Sequence, residues 1–208
     1  MSQESIDTEE NLENQIKIIL LGNAGVGKTN LINIAIGVSF NEDEKTTTAS
    51  SFSVKKIILN RQEYRINLWD TIGQEQFRQL TKIFFNNSKI VIFVYDISSK
   101  TSFEALPGWI NDVDEQIGNN YIKGLVANKS DLYLEEEVKN EEGEEFANKI
   151  GARFLTISAK CDDPKKFEEF LVELVKEYIE KRKSIGSRNF SIDRRKSSEN
   201  TDKRNCCK

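Results

Sequence analysis

Eight consecutive residues have the types and spacing needed to hold phosphate groups: Gly22-Asn23-Ala24-Gly25-Val26-Gly27-Lys28-Thr29. The glycines allow the backbone to wrap so that several N–H groups point at one anion, and a helix starting there adds partial positive charge. Lys28 can reach terminal phosphates, and the Thr29 hydroxyl can hold a magnesium ion. An apolar run at 16–21 predicts a strand before the motif, and 30–36 predicts a helix after it. This context favours a P-loop over the alternative, a glycine-rich turn without a ligand.

A second motif, Asp70-Thr71-Ile72-Gly73-Gln74, directly follows a predicted strand at 64–69. Asp70 can reach magnesium through a water, and the N–H of Gly73 can meet a terminal phosphate oxygen. Gln74 can orient an attacking water, which hydrolysis requires here because the chain has no histidine to act as a general base. The alternative is an ordinary turn with a solvated amide; the motif is weak alone and gains weight beside a P-loop.

Two short motifs have the chemistry to select a purine base. Asn128-Lys129-Ser130-Asp131 follows a predicted strand at 121–127, and Ser158-Ala159-Lys160 follows another at 153–157. The Asp131 carboxylate only accepts hydrogen bonds, so it matches the adjacent N–H donors of guanine and repels the N1 lone pair of adenine. The stem of Lys129 can lie along the base, while the second motif can supply a backbone N–H near the guanine oxygen and pack Lys160 against the ring. Polar surface loops are the alternative.

The elements that position these motifs alternate between strands and helices, which predicts an α/β fold with a mostly parallel sheet and helices on both faces. Residues 52–59 and 64–69 predict a hairpin that turns at Asn60-Arg61. A helix beginning near Thr101 contains Pro107, which predicts a kink or a delayed start. We further predict an acidic helix at 135–150, with Gly143 as a weak spot, and an amphipathic helix at 164–181. Every motif follows a strand, and ligands bind at the carboxyl ends of strands in such sheets.

The composition predicts one domain, residues 15–182, between an acidic tail at 1–14 and a basic tail at 183–208, both disordered. The 208 residues carry a net charge of −4, yet residues 181–208 alone carry +7, so the rest carries −11. An acidic domain argues against nucleic-acid binding. Three cysteines provide neither a disulfide framework nor a zinc site, which favours a reduced, cytosolic compartment. The polar N-terminus has no signal-peptide pattern, and no apolar run is long enough to span a membrane.

The motif set, in this order and with Thr47, resembles the Ras superfamily of small GTPases over about residues 15–182. The resemblance implies a six-stranded P-loop GTPase domain that binds GTP or GDP with Mg²⁺ and hydrolyses GTP slowly without an activating protein. It implies that Gln74 is catalytic, that Phe40 lies edge-on to the guanine, and that magnesium is held by Thr29, Thr47 and Asp70. The nucleotide-binding residues that it implies are Asn23, Ala24, Gly25, Val26, Gly27, Lys28, Thr29, Asn30, Phe40, Thr47, Gly73, Asn128, Lys129, Asp131, Ser158, Ala159 and Lys160.

Within the superfamily the chain is similar to Rab proteins, in segments 65–69, 76–81, 84–88 and 93–98. It departs from their pattern after Thr47, at Ile72, at the Phe84-Phe85 pair and at Ala24. The final Cys206-Cys207-Lys208 resembles the Rab terminus in which both cysteines are geranylgeranylated, and two lipid chains give stable anchoring.

The Rab resemblance implies a monomeric switch of vesicle trafficking. It works on the cytoplasmic face of intracellular membranes and cycles with the cytosol. The implied partners are an exchange factor, a GTPase-activating protein, effectors that read the switch segments, a prenylation escort and a lipid-masking carrier.

Two alternatives belong to other functional classes. A P-loop phosphotransferase would need an arginine-bearing lid and an acceptor pocket, and the sequence shows neither, while Asn128–Asp131 indicates guanine. Gln74 argues against a GTP-binding scaffold that barely hydrolyses, whereas Ala24 leaves that alternative open.

Overall fold

The computed structural model describes residues 14–42, 47, 50–71 and 81–199, with side chains up to residue 184. Its six strands are β1 (Gln15–Leu21), β2 (Ser51–Leu59), β3 (Gln62–Asp70), β4 (Ile90–Asp96), β5 (Ile122–Asn128) and β6 (Arg153–Thr156). The α-helices are α1 (Lys28–Ala35), α2 (Lys100–Glu104), α3 (Leu106–Ile117), α4 (Asn140–Ile150) and α5 (Pro164–Glu199), and 3₁₀ turns cover Lys82–Phe85 and Ser130–Glu135.

The strands form one sheet in the order β2-β3-β1-β4-β5-β6. Only the β2–β3 pair is antiparallel; the other neighbours run parallel. The predicted mostly parallel, six-stranded α/β sheet is therefore confirmed. Parallel strands place their carboxyl ends at one edge, so the segments after β1, β3, β5 and β6 meet there.

The sheet is covered on both faces, which explains why β4 is apolar up to its last residue, Asp96: all seven of its residues are buried. One face packs against α1 and α5, with Leu31 and Leu171 among the buried contacts. The other packs against α3 and α4, with Trp109 and Ala147 in its core. The two apolar layers hold the sheet rigid beneath the loops at its carboxyl edge.

The predicted hairpin is present and closes at Asn60 and Arg61, whose φ angles are 51° and 66°. Positive φ at both central residues is the geometry of a two-residue turn whose twist matches that of the strands. The ladder runs from Leu59, paired with Gln62, to Ser51, paired with Asp70. The hairpin thus brings the chain after residue 47 beside the start of the second motif.

Pro107 delays the start of its helix, as predicted. The chain forms the short α2, capped by the Ser99 side chain, which accepts from the Ser102 N–H at 3.3 Å. The longer α3 then begins at Leu106 with Pro107 in its first turn, where a missing N–H costs nothing.

The acidic helix was predicted to begin at residue 135, and this is wrong. Residues 130–135 form a 3₁₀ turn, and α4 begins only at Asn140. The N–H groups of Glu137 and Val138 both donate to the carbonyl of Ile97, at 2.9 and 3.1 Å, which holds this stretch against the end of β4. The backbone is extended at Glu136 and again at Lys139, with ψ of 117° and 150°, so no helix is continuous before Asn140.

Gly143 lies inside α4 and is not simply a weak spot. A Cβ added there would lie 2.3 Å from the Tyr95 hydroxyl oxygen and 2.7 Å from the Phe154 ring. The missing side chain lets α4 approach the sheet closely, so the glycine has a packing role.

The last helix extends beyond its predicted end. We expected disorder from residue 183, but the backbone of α5 is helical to Glu199. After Pro164 at its first position, this stretch contains no further proline, the residue that most strongly ends a helix. None of the helices in the described part of the chain is apolar over enough length to cross a bilayer.

Candidate functional site

A cavity of about 300 Å³ opens at the carboxyl edge of the sheet. It brings together residues that the sequence analysis selected from five separate segments. Its walls include Ala24, Gly25, Gly27, Lys28, Thr29, Asn30, Phe40, Thr47, Asn128, Lys129, Asp131, Ala159 and Lys160. Three further lining residues, Glu42, Thr71 and Leu132, were not predicted. The four motifs therefore build one concave site large enough for a small ligand.

The glycine loop packs against Asn128, which fixes its shape. Gly27 has a φ of 93°, and a Cβ there would lie 2.3 Å from the side-chain nitrogen of Asn128. That amide donates to the Val26 carbonyl at 2.8 Å, and its oxygen accepts from the Ala159 N–H at 3.2 Å. Asn128 thus ties the phosphate loop to the motif after β6, which explains why its side chain is buried although it lines the cavity.

The loop also encloses its own lysine. Lys28 is 6% exposed, and its ammonium group donates to the carbonyls of Gly22 and Asn23 at 2.8 and 2.9 Å. The Asn23 side chain in turn accepts from the indole N–H of Trp109 at 2.9 Å. A cation held within the loop, next to backbone N–H groups at the start of α1, makes this part of the cavity suited to anions.

Three oxygen-bearing side chains converge beside the lysine. The Thr29 hydroxyl donates to Asp70 Oδ2 at 2.7 Å and lies 2.9 Å from the Thr47 hydroxyl, which is itself 3.4 Å from Asp70 Oδ2. The next residue, Thr71, donates to the Leu20 carbonyl at 2.6 Å and so fixes the end of β3 against β1. Two hydroxyls and one carboxylate form a hard-oxygen donor set of the kind that magnesium prefers, so the residues fit the predicted ion.

At the opposite end of the cavity the Asp131 carboxylate is held in place by Ser158, whose hydroxyl donates to it at 2.5 Å. The same hydroxyl oxygen accepts from the N–H groups of Lys160 and Cys161, at 3.2 and 3.0 Å. Lys129 has a left-handed backbone, with φ 63°, and its ammonium group pairs with Asp96 at 2.6 Å. The aliphatic stem of Lys129 lines the cavity, while its ammonium group is held by Asp96.

The mouth of the cavity is bridged by an ion pair. Lys160 Nζ lies 2.8 Å from Glu42 Oε1, and the two residues are 118 positions apart in the chain. The hydrogen bond to Glu42, with the attraction of its charge, raises the pKa of Lys160. Glu42 belongs to no recognisable motif, so its place in the site could not be predicted from the sequence.

The loop that carries Glu42 is fixed at its start. The side-chain amide of Asn30 donates to the carbonyl of Asn41 at 3.1 Å and accepts from its N–H at 3.2 Å. Phe40, one residue earlier, packs partly against the core and partly lines the cavity.

Several predicted residues fall outside the described part of the chain. Gly73 and Gln74 lie in the segment 72–80, and Cys206 and Cys207 lie in 200–208. Their roles stay predictions.

The sequence profile of the Ras family matches residues 17–180. Rab-12 of Mus musculus is 34% identical over 168 residues, which cover 80% of this chain and 68% of Rab-12. Human Rab-30 is 36% identical over 71% of the chain and 72% of its own length, and Rab-21 of Bos taurus is 36% identical over 79% and 73%. The chain accordingly belongs to the Ras superfamily of small GTPases and, within it, to the Rab family of GTP hydrolases.

Proposed function

We propose that this GTPase is a magnesium-dependent switch in which Thr47 reports the presence of the terminal phosphate. The observation that carries the proposal is the convergence of Thr29, Thr47 and Asp70 within hydrogen-bond distance. Bound magnesium would neutralise charge on the phosphates, and these three side chains would hold it, Asp70 through a water. Thr47 belongs to the loop before β2, so its engagement couples the ligand to the order of that loop.

Guanine selection is proposed for the other end of the cavity. The Ser158 bond leaves Asp131 Oδ2 as an acceptor for the adjacent N–H donors of the base. Lys129 and Lys160 would flank the ring with their stems, and Phe40 would close its edge. A purine that lacks those donors would leave a partly buried carboxylate unsatisfied, which is the basis for sharp discrimination.

Hydrolysis is proposed to depend on Gln74 and Gly73. Gln74 would orient the attacking water, and the Gly73 N–H would meet the terminal phosphate. Lys28 would stabilise the developing phosphate charge from within the loop. Ala24, which lines the cavity, leaves room for the water but offers it no side-chain hydrogen bond.

Members of this family act through regulators and effectors in general. We propose that effectors bind this protein at an aromatic cluster on its surface. Phe52 stacks on Trp69 with 5.1 Å between ring centroids, and Phe84 lies 5.5 Å from Trp69. Phe52 is 56% exposed, so the aromatic cluster offers a partner both area and an open face. In the chain, Phe52 follows Thr47 by five residues and Trp69 precedes the segment 72–80, so we propose that the bound nucleotide influences this cluster.

We further propose that Cys206 and Cys207 carry geranylgeranyl groups. These would place the protein on the cytoplasmic face of intracellular membranes, where it acts in vesicle transport and cycles with the cytosol. An exchange factor, a GTPase-activating protein, a prenylation escort and a lipid-masking carrier are the partners that this cycle requires.

The magnesium assignment is tested by comparing Thr29→Ala with Thr29→Ser. We would measure GDP release while titrating Mg²⁺. The serine variant keeps the hydroxyl and should need the wild-type concentration of Mg²⁺ to slow release, whereas the alanine variant should need a much higher one. Identical Mg²⁺ dependence in both variants would remove Thr29 from the metal site.

A further inference from the structure

A second cavity, of about 210 Å³, lies at the pole of the domain opposite the nucleotide site. Lys89 lines it immediately before β4, and Tyr121 immediately before β5, so it sits at the amino ends of the central strands. Tyr178, Lys181 and Arg182 of α5 complete the side toward the C-terminus. None of the nucleotide-binding residues takes part in it.

The charge of this cavity is one-sided. Lys89, Lys181 and Arg182 come from two different elements and line one small volume, although the domain as a whole is acidic. Among the residues that the structure describes, Lys89 and Lys181 form no ion pair. A fourth cation, Lys123, lies 5.2 Å from the ring centroid of Tyr121. Like charges gathered in this way repel each other, and an anion would relieve that repulsion.

The neighbouring acidic group is already engaged. The Tyr121 hydroxyl donates to Asp114 at 2.8 Å, which holds that carboxylate to the tyrosine. Burial, together with this hydrogen bond, raises the pKa of Tyr121, so its ring remains a neutral wall. The half-buried Tyr178 adds a second aromatic wall, and Lys89 and Lys181 are half-buried as well. Two partly desolvated ammonium groups between aromatic walls suit a phosphate group, which lysine binds as a point charge.

We propose that this basic pocket, Lys89, Lys181 and Arg182 with Tyr121 and Tyr178, binds the phosphate of an anionic phospholipid headgroup. The choice of a membrane source rests on the proposed function, because the helix that lines the pocket leads into the basic tail and the terminal cysteines. Beyond the pocket, residues 183–208 carry eight Lys/Arg and three Asp/Glu, a net +5, so the pocket directly precedes a strongly basic stretch of the chain. Cations near an anionic bilayer contribute additively to binding, and the pocket would add a defined headgroup contact to that general attraction.

The test uses the full chain without lipid modification, so it does not depend on whether the cysteines are prenylated. Binding to phosphatidylcholine vesicles containing a phosphoinositide is compared for the wild type, Lys89→Glu/Lys181→Glu, and the control Lys139→Glu/Lys165→Glu. Both control lysines are exposed, and the two double variants change net charge equally. We expect the pocket variant to lose about 25-fold in affinity, roughly fivefold for each lysine, and the control to lose less than threefold. Equal losses of vesicle affinity in the pocket variant and the control would show that only net charge matters, and would overturn the proposal.

The phosphate bound by the pocket could belong to a lipid headgroup or to a free phosphate ester, and a soluble inositol phosphate distinguishes these two sources. If it binds the pocket as tightly as the vesicles do, the site serves a free phosphate ester and the lipid assignment is wrong. GDP release, measured on every variant, shows whether the nucleotide site is intact and separates failure here from failure of the proposed switch. If the glutamate variant is misfolded, Lys89→Gln/Lys181→Gln removes the two positive charges with less disturbance and is compared with Lys139→Gln/Lys165→Gln, which changes net charge equally.

Discussion

We propose that single side chains decide which nucleotide this protein holds and how fast it is hydrolysed. Asp131 has one oxygen engaged by Ser158, so its orientation is set before a base arrives. Lys28 is likewise positioned by two backbone carbonyls. Groups fixed in advance lose little entropy on binding, which favours both affinity and selectivity.

Asp131→Asn should weaken guanine-nucleotide binding and admit xanthine nucleotides, because the new amide donates where xanthine presents an oxygen. Competition binding with GDP and xanthosine diphosphate measures both affinities. Ser158→Ala is the matched control, since it removes the positioning bond but leaves the carboxylate. An equal loss of affinity for both nucleotides in Asp131→Asn would show that this residue does not read the base.

Gln74→Leu should slow hydrolysis while leaving nucleotide affinity unchanged, because only the orientation of the water is lost. Intrinsic rates in such enzymes are on the order of 10⁻⁴ s⁻¹, and an activator adds roughly 10³–10⁵-fold. Single-turnover hydrolysis of bound GTP measures the change in kcat directly. Activators that supply their own glutamine would lessen the effect on the activated rate. An intrinsic rate equal to that of the wild type would refute the catalytic role.

At the scale of elements, the loop before β2 is joined across the cavity mouth to the motif after β6. The Glu42–Lys160 pair is the contact, and both side chains are substantially exposed, at 75% and 46%. Such a pair contributes little to global stability. Because both of its residues line the cavity, we expect it to restrain a nucleotide bound there.

Glu42→Gln should therefore speed GDP release by about two- to fivefold at low salt, with little change in thermal stability. The difference from the wild type should shrink as ionic strength rises, since exposed charges are screened. Stopped-flow release of a fluorescent GDP analogue measures the release rate at each salt concentration. Glu136→Gln is the control, because it changes net charge equally outside the cavity. A release rate that does not respond to Glu42→Gln at any salt concentration would mean that the pair does not restrain the nucleotide.

The contact between α4 and the sheet depends on one missing side chain. Gly143→Ala should destabilise the fold by about 1–2 kcal/mol, because overpacking against Tyr95 and Phe154 outweighs the better helix propensity of alanine. Denaturant unfolding with GDP present measures the loss, and Glu145→Ala on the exposed face is the control. Gly143→Ala at wild-type stability would show that the sheet moves to accept the methyl group at no cost.

The strands and most of the cavity could be predicted because they follow from local patterns. The predicted strands at 16–21 and 121–127 match β1 and β5 within a residue, and glycine spacing marks the phosphate loop. What could not be predicted depends on tertiary contacts. The bond between Trp109 and Asn23 joins residues 86 positions apart, and Glu42 meets Lys160 only after the sheet has formed. The late start of α4 likewise follows from a tertiary contact, in which Glu137 and Val138 donate to the carbonyl of Ile97.

At the scale of the whole molecule, charge is divided between an acidic domain and a basic tail. The +7 of residues 181–208 opposes −11 elsewhere. Screened charge alone is a weak and salt-sensitive anchor, so lipid chains would have to supply lasting attachment.

Replacing both Cys206 and Cys207 with serine should release the protein into the cytosol while GDP release and GTP hydrolysis stay at wild-type rates. One remaining cysteine should give intermediate, leaky attachment, because a single lipid chain binds only marginally. Cell fractionation at two salt concentrations compares the three forms. If the double serine variant stays with membranes at high salt, the lipid anchor is wrong and a protein partner holds the chain there.

The β2–β3 hairpin has a consequence for the entropy of the switch. Because Ser51 pairs with Asp70, the chain leaves toward Thr47 and enters the segment 72–80 from neighbouring points on one rigid edge. A magnesium ion held by both Thr47 and Asp70 would restrict the chain on the two sides of this pair at once, so the loss of conformational freedom would be shared rather than incurred twice. The two segments should then order with positive cooperativity, and species with only one of them ordered should be sparsely populated at any nucleotide concentration.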